Sequence, residues 1–345
     1  MRKVKKVKLG DLEFGSGKIY VQSMLNVPAE DIENSVLQAK ALEKAGCEII
    51  RAAVPRVEDA PLIKALKNAV SVPVVADIHF DYRIALACVN AGVDKVRINP
   101  GNIGSTDKVK AVADACRKNR VQIRIGVNAG SLERELLEKY GRPTAEAMVE
   151  SALGHVRLLN ECDFDDIVIS IKSSDVRLMT EAYRLLAKQT EYPLHLGVTE
   201  AGTERMGLIK SSVGIGSLLC DGIGDTIRVS LTADPIKEVY AAKDILKACG
   251  MGSGVEIVSC PTCGRTKIDL ISLANQVEDM LKNVDKPIKV AVMGCAVNGP
   301  GEAREADIGV AGGNGEGLIF KKGEILRKVP EKMILEELKK EIDKL

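Results

Sequence analysis

From residue 18 to about 248, short apolar and β-branched runs alternate with amphipathic runs of helical period. The apolar runs at 18–24, 48–54, 73–79, 95–100, 122–128, 166–172, 193–199 and 226–231 predict strands. The runs near 30–45, 57–70, 81–91, 105–119, 144–161, 175–190, 203–220 and 235–248 predict helices. Ser105-Thr106-Asp107 and Ser173-Ser174-Asp175 supply cap-type residues at two helix starts. Eight β/α units in about 230 residues have the count and length of a (β/α)8 TIM-type barrel. A doubly wound sheet would more often show fewer strands and a glycine-rich first turn. No Gly-x-Gly-x-x-Gly follows the first strand here.

The alternation then changes. Residues 249–254, Cys-Gly-Met-Gly-Ser-Gly, form a short glycine-rich stretch that reads as a linker. Beyond it, strand patterns near 255–258, 287–293, 307–311 and 317–321 and helical patterns near 268–282 and 330–344 predict a small α/β domain. The expected organisation is a barrel over 1–248, a linker over 249–254 and a second domain over 255–345. The first residues, Met1-Arg2-Lys3-Val4-Lys5-Lys6, are basic. They lead into a hairpin-like pattern at 9–15 rather than the apolar core of a signal peptide.

Composition narrows the class of partner. Lys+Arg number 49 and Asp+Glu 48, so no global field draws the chain to nucleic acid or a membrane surface. Aromatic residues are 3% with no Trp, which leaves little for base stacking. No run of apolar residues is long enough for a membrane span. Of nine cysteines, Cys47, Cys88, Cys116, Cys162, Cys220 and Cys249 stand singly in apolar or helical segments and read as buried reduced thiols. A reducing compartment, the cytoplasm, is expected.

The predicted strand ends are unusually polar. Alternate residues share a strand face, which aligns Asp77 with His79, Arg97 with Asn99, Arg124 with Asn128, Ser170 with Lys172, His195 with Thr199 and Arg228 with Ser230. Barrel active sites form at the C-terminal ends of the strands. Arg51, Arg97, Arg124, Lys172 and Arg228, from five strands, would converge there. Buried cations without counter-charge are costly, so the expected ligand is multiply anionic, and a diphosphate suits Arg forks. The alternative is internal pairing of some of them with Asp77, Asp225 or Glu200. The glycine-bearing loops at 99–104 and 128–131 add backbone N–H groups at helix starts.

The second domain carries a different chemistry. Cys260-Pro261-Thr262-Cys263 places two thiols on one turn, and Cys295 follows a helix and a strand later. After Cys295 come a Gly/Pro loop and a carboxylate, Glu302. The opening also suits a zinc knuckle, but a closed zinc site wants a second cysteine pair or two histidines. Three thiols with neither fit better a [4Fe–4S] cluster with one differently ligated iron, which can bind a substrate as well as carry electrons.

Taken in order, the motifs resemble the bacterial 4-hydroxy-3-methylbut-2-en-1-yl diphosphate synthases. The matching stretches are Val21-Gln22-Ser23-Met24, residues 75–83, residues 97–104, residues 124–131, His195-Leu196-Gly197-Val198-Thr199-Glu200-Ala201-Gly202, residues 222–230, Cys260-Pro261-Thr262-Cys263 and residues 295–302. Leu25 stands where the family usually has Thr. No domain is inserted between the two parts, as in the bacterial form. The resemblance implies reductive opening of 2-C-methyl-D-erythritol 2,4-cyclodiphosphate, with two electrons delivered singly by flavodoxin or ferredoxin. It implies one [4Fe–4S] cluster per chain on Cys260, Cys263 and Cys295, with Glu302 as exchangeable fourth ligand. Glu302, Glu200 and Asp77 are expected to be catalytic. Arg51, His79, Arg97, Asn99, Arg124, Asn128, Lys172, Thr199, Arg228, Ser230 and Asn298 are expected to bind substrate.

Topology adds an expectation about assembly. The last barrel helix, 235–248, runs back from the catalytic face over about 21 Å. A six-residue linker spans at most roughly 20 Å, too little to carry the second domain round to the mouth. A head-to-tail homodimer with each active site shared between chains is expected, and the family forms such a dimer.

Overall fold

The chain opens with an antiparallel hairpin, β1 (Val7–Leu9) and β2 (Leu12–Phe14). In the computed structural model the described residues are 2–345 apart from 283, 285, 297–300 and 302. They fall into two units, Met1–Met251 and Gly252–Leu345.

The first unit is the expected barrel. Its strands are β3 (Tyr20–Met24), β4 (Ile49–Ala53), β5 (Val74–Asp77), β6 (Lys95–Ile98), β7 (Gln122–Asn128), β8 (Ile167–Lys172), β9 (His195–Leu196) and β10 (Thr226–Ile227). All pair in parallel, in the order β8-β7-β6-β5-β4-β3-β10-β9. A single bridge, Ile169 to Leu194, brings the two ends together. The helices are α1 (Ile32–Lys44), α2 (Pro61–Ala69), α3 (Tyr82–Asn90), α4 (Thr106–Asn119), α5 (Arg134–Tyr140), α6 (Ala145–Asn160), α7 (Val176–Ala187), α8 (Glu204–Cys220) and α9 (Pro235–Ala248). Only α5, inserted between β7 and α6, lies outside the predicted units. The strands β9 and β10 are two residues each, shorter than the apolar runs that predict them.

The main core lies between strands and helices, as the continuous apolar runs require of a sheet buried on both faces. A second cluster closes the N-terminal end of the barrel. Val7, Leu9 and Phe14 of the hairpin pack on Tyr20, Ile49, Val75 and Val168, early inward residues of their strands. The hairpin is therefore a floor, and the mouth at the other end is left to the βα loops. Helix α9 has a sharp start: the Asp234 carboxylate accepts from Ile236 N at 2.9 Å and Pro235 takes the first turn. That start puts Glu238 on the face turned to the barrel, where it is buried.

The second unit is a five-stranded sheet in sequence order, β11 (Glu256–Ser259), β12 (Lys289–Met293), β13 (Ile308–Gly312), β14 (Glu316–Lys321) and β15 (Glu324–Pro330). The first three are parallel and the last two antiparallel. Helices α10 (Leu270–Leu281) and α11 (Ile334–Asp343) cover one face through Leu270, Val277, Leu281, Ile334, Leu338 and Ile342. The strand β15 is not anticipated by the pattern. It is an edge strand with Ile325 and Leu326 exposed, so it lacks a clean inside–outside alternation. Among the described residues no helix is long and apolar enough to cross a membrane.

Candidate active site

Parallel register sets the charged residues of the barrel side by side. Asp77 on β5 is opposite Arg97 on β6, which is opposite Arg124 on β7. Asn128 on β7 is opposite Lys172 on β8. Arg51 comes from β4, and Arg228 follows β10 directly. Arg51, Arg97, Arg124 and Lys172 are buried, and Arg124 is only 1% exposed.

Two of these cations share one carboxylate. Arg51 Nη2 donates to Asp77 Oδ2 at 2.5 Å and Arg97 Nη1 to Asp77 Oδ1 at 3.2 Å. Burial alone would raise the Asp77 carboxyl. Arg51 and Arg97, and then His79, outweigh it and hold Asp77 well below the usual carboxylate range. An aspartate so clamped stays ionised at neutral pH and orients its two arginines. His79 is exposed beyond β5, with Nε2 at 3.2 Å from Arg97 Nη1. Arg228 is held from outside the barrel: its guanidinium makes bonds of 3.1–3.3 Å to the Glu238 carboxylate, which also accepts from Ser23 Oγ and Leu231 N. Internal pairing thus accounts for Arg51 and Arg97 through Asp77. Asp225 serves Arg2 and the backbone of Gly15 and Leu194 instead.

Arg124 and Lys172 have no carboxylate partner among the described residues. The Arg124 Nε and Nη1 atoms are buried without a hydrogen bond. Burial pushes Arg124 well below its ordinary pKa, and the charges of Arg51 and Arg97 push it further. Burial does the same to Lys172, reinforced by Arg124, Arg228, Arg51 and Arg97. Burying an unpaired cation costs several kcal/mol, at least about 2, so this arrangement matches an anion delivered into the barrel. Glycines make the room. A Cβ at Gly126 would lie 2.3 Å from Arg97 Nε, and one at Gly197 would lie 2.6 Å from Arg228 O and 2.8 Å from Lys172 Nζ. Gly126→Ala is therefore expected to displace Arg97 and raise the Michaelis constant about tenfold, with the melting temperature lowered by only a few degrees. An unchanged Michaelis constant would show that Arg97 does not face the ligand.

The polar interior continues below the predicted site. Lys95 and Gln122 sit two residues before Arg97 and Arg124 on the same strand faces, and both are buried. Lys95 Nζ lies 4.7 Å from the Phe14 ring centroid at the floor. His195 is fully buried, with Nδ1 at 2.7 Å from Thr226 Oγ1. Period-two reading extended one step back from Arg97 and Arg124 reaches Lys95 and Gln122. Nothing local in the sequence marks Glu238 as a partner of Arg228, since it arrives from a helix. Around the mouth, the Asn99 carboxamide oxygen accepts from Gly101 N at 3.1 Å, and Thr199 N donates to Ser173 O at 3.3 Å. Asn128 and Ser230 are half-buried. Glu200 is exposed with φ +50°, a left-handed conformation unusual for a residue with a Cβ. A cavity of about 730 Å³ lined by Arg2, Arg184 and Ile223, among others, belongs to the segments preceding β9 and β10 and includes none of these groups.

In the second unit, Cys260 follows β11 and Cys295 lies two residues after β12. These are parallel neighbours, with Ser259 opposite Val292, so both thiols occupy the same end of the sheet. Gly294 N donates to Cys260 Sγ at 3.2 Å. Cys263 lies in the exposed turn, where the Arg265 backbone N–H and then its guanidinium hydrogen-bond the sulfur and lower the thiol pKa. Among the described residues no three His, Cys, Asp or Glu side chains are drawn close enough to hold one ion. Asn298 and Glu302 lie outside the described residues. The donor set itself, soft sulfur at the carboxyl ends of parallel strands with N–H groups aimed at it, suits an iron–sulfur centre.

A parallel barrel whose strand ends carry buried cations, joined to an α/β unit with three cysteines, defines a two-domain barrel enzyme. The chain belongs to the GcpE family: the GcpE TIM-barrel domain matches residues 4–243 and the GcpE protein C-terminal domain residues 256–344. It is 58% identical over 344 residues to the 4-hydroxy-3-methylbut-2-en-1-yl diphosphate synthase (flavodoxin) of Clostridium perfringens, covering 99% of each chain. It is 57% identical over 345 residues to the protein of that name from Geobacillus thermodenitrificans, covering 99% of this chain and 92% of the relative. Among solved structures, dihydropteroate synthase from Stenotrophomonas maltophilia superposes with a TM-score of 0.53 at 15% identity, over 70% of this chain and 96% of that one. The Xanthomonas albilineans enzyme gives 0.52 at 15%, over 71% and 98%. At that identity the likeness is one of fold alone.

Proposed function

We propose that this chain converts 2-C-methyl-D-erythritol 2,4-cyclodiphosphate to (E)-4-hydroxy-3-methylbut-2-enyl diphosphate, a step of the methylerythritol phosphate route to isoprenoids. Two electrons and two protons enter and one water leaves. The observation that carries the reading is the pair of buried cations, Arg124 and Lys172, without counter-charge among the described residues. A diphosphate supplies that charge, and the forks of Arg97, Arg124 and Arg228 suit its oxygens. Asp77 and Glu238 keep three of the arginines in place, so little reorganisation is needed when the ligand arrives. Asn99, Asn128, Thr199 and Ser230 border the same end of the barrel and serve as neutral partners; His79 and Asn298 are further substrate-binding candidates. Glu200 and Glu302 are the acid–base candidates, and Asp77 acts as a positioning residue.

Cys260, Cys263 and Cys295 would hold a [4Fe–4S] cluster, with Glu302 as fourth ligand. When bound, that group supplies electrons one at a time, received from reduced flavodoxin, and an iron site open to exchange. The barrel itself ends with α9, which returns from the mouth toward the floor. For that reason the working enzyme is taken to be a cytoplasmic homodimer, with each barrel completed by the second unit of the partner. Complementation tests this. Arg124→Ala and Cys263→Ser chains should each be inactive toward the cyclic diphosphate, in an assay where the parent chain forms the linear product. After subunit exchange the mixture should regain activity, because one of the two sites in each mixed dimer is intact. Exchange without recovery would place both functions in one chain, and a parent chain that forms no linear product would overturn the reading.

A further inference from the structure

Four of the six cysteines outside the second unit behave as expected. Cys47, Cys88, Cys116 and Cys162 are buried, and burial pushes the Cys47, Cys88 and Cys116 thiols up to about 12. Cys220 and Cys249 depart from that expectation. Cys220 is the last residue of α8 and is exposed, while Cys249 caps α9 and is half-buried. The two helices pack together, which sets the two thiols near each other, and the Cys249 thiol is raised by burial and then by the neighbouring Cys220. Cys249 Sγ also lies 3.8 Å from Gly216 O, one helical turn before Cys220. Gly216 has no side chain there, and an added Cβ would stand 3.6 Å from that sulfur.

We propose that Cys220 and Cys249 are a thiol-oxidation site, a pair that closes reversibly to a disulfide on exposure to a peroxide. The chemistry is stepwise. The exposed Cys220, as thiolate, attacks one peroxide oxygen. The O–O bond breaks, Cys220 becomes a sulfenic acid and, with one proton, the first water leaves. The neighbouring Cys249 thiol attacks that sulfur and gives up its proton to the departing hydroxyl, which leaves as the second water. Two thiols are oxidised to one disulfide and the peroxide is reduced to two waters. The half-buried position of Cys249 suits the resolving role, since its sulfur is shielded from solvent but not from Cys220. The bond would tie the last turn of α8 to the end of α9. A small-molecule dithiol would reverse it by exchange through the exposed sulfur.

The full chain is treated with hydrogen peroxide, the remaining thiols are alkylated and the product is cut with trypsin. Cleavage after Lys210, Arg228, Lys247 and Arg265 yields peptide 211–228 with Cys220 and peptide 248–265 with Cys249. The expected product is these two peptides joined, lighter by two hydrogens than their sum, with fragmentation placing the bridge at Cys249. The second peptide also carries Cys260 and Cys263, so the position of the bridge is decisive. Prior dithiol treatment should remove the joined species, and so should Cys220→Ser or Cys249→Ser in chains that melt like the parent. A bridge to Cys260 or Cys263 would overturn the proposal. Overoxidation of Cys220 to the sulfinic acid, with Cys249 recovered in its alkylated form, would also overturn it.

Discussion

Arg124→Met should bind the cyclic diphosphate roughly a hundredfold more weakly and yet unfold at a higher temperature than the parent chain. The guanidinium is buried, two of its nitrogens have no partner, and the nearest charges include those of Arg51 and Arg97. Its desolvation is therefore a standing cost to the ligand-free fold. Replacement of a buried charge by an apolar side chain of similar volume is often stabilising by about 1–4 kcal/mol. With an anionic ligand present the sign reverses. A charge-assisted bond contributes about 1.5–3 kcal/mol, and one bidentate contact reaches the upper end, close to the stated hundredfold. Calorimetry for affinity and thermal melts with and without ligand measure the two effects separately. A variant that binds as the parent does, or that melts lower without ligand, would mean that Arg124 is a structural cation and not a ligand-facing one.

Serine at Cys260, Cys263 or Cys295 should reduce bound iron and turnover to background. A hydroxyl does not replace a thiolate on a soft centre, and each sulfur belongs to a set with no spare cysteine in the second unit. The barrel cations are untouched by these changes, so affinity for the cyclic diphosphate should stay within about twofold of the parent, as independent sites require. Arg124→Met should show the converse, with full iron and weak binding. Glu302→Ala should keep much of its iron while activity collapses. Iron retained in all three serine variants would remove these cysteines from the centre.

Much of this was legible in the sequence because the barrel follows period and length. Eight apolar runs with helical runs between them leave few alternatives, and the cationic strand ends stand out against a chain with almost no net charge. The apolar runs around β9 and β10 are longer than the paired strands, since an apolar run shows burial but not hydrogen-bond pairing. The strand β15 is hidden from the sequence pattern for a local reason. Its hairpin turns at Lys322 and Gly323, both at positive φ, and a lysine is not a residue that announces such a turn. The partners of the cations divide the same way. Asp77 was foreseeable as a counter-charge because it lies on a neighbouring strand. Glu238 was not, because it reaches Arg228 and Ser23 from α9, and only tertiary packing brings that helix to the first strand. Cys220 and Cys249 look alike in the sequence to the buried cysteines. Helix position does not separate them, since Cys116 lies in the last turn of α4 and Cys162 just past α6, and both are buried; tertiary packing alone makes the difference.

The barrel is expected to present a cyclic diphosphate for reduction with electrons from an iron–sulfur centre. Anaerobically purified protein, with iron and sulfide measured on the same sample, is supplied with reduced flavodoxin and the cyclic diphosphate, and the products are read by phosphorus resonance. The expected result is brown protein with equal amounts of iron and sulfide, and replacement of the cyclic signals by those of a linear diphosphate at a rate set by the reductant. Colourless protein carrying one zinc per chain, with the cyclic signals unchanged, would contradict it.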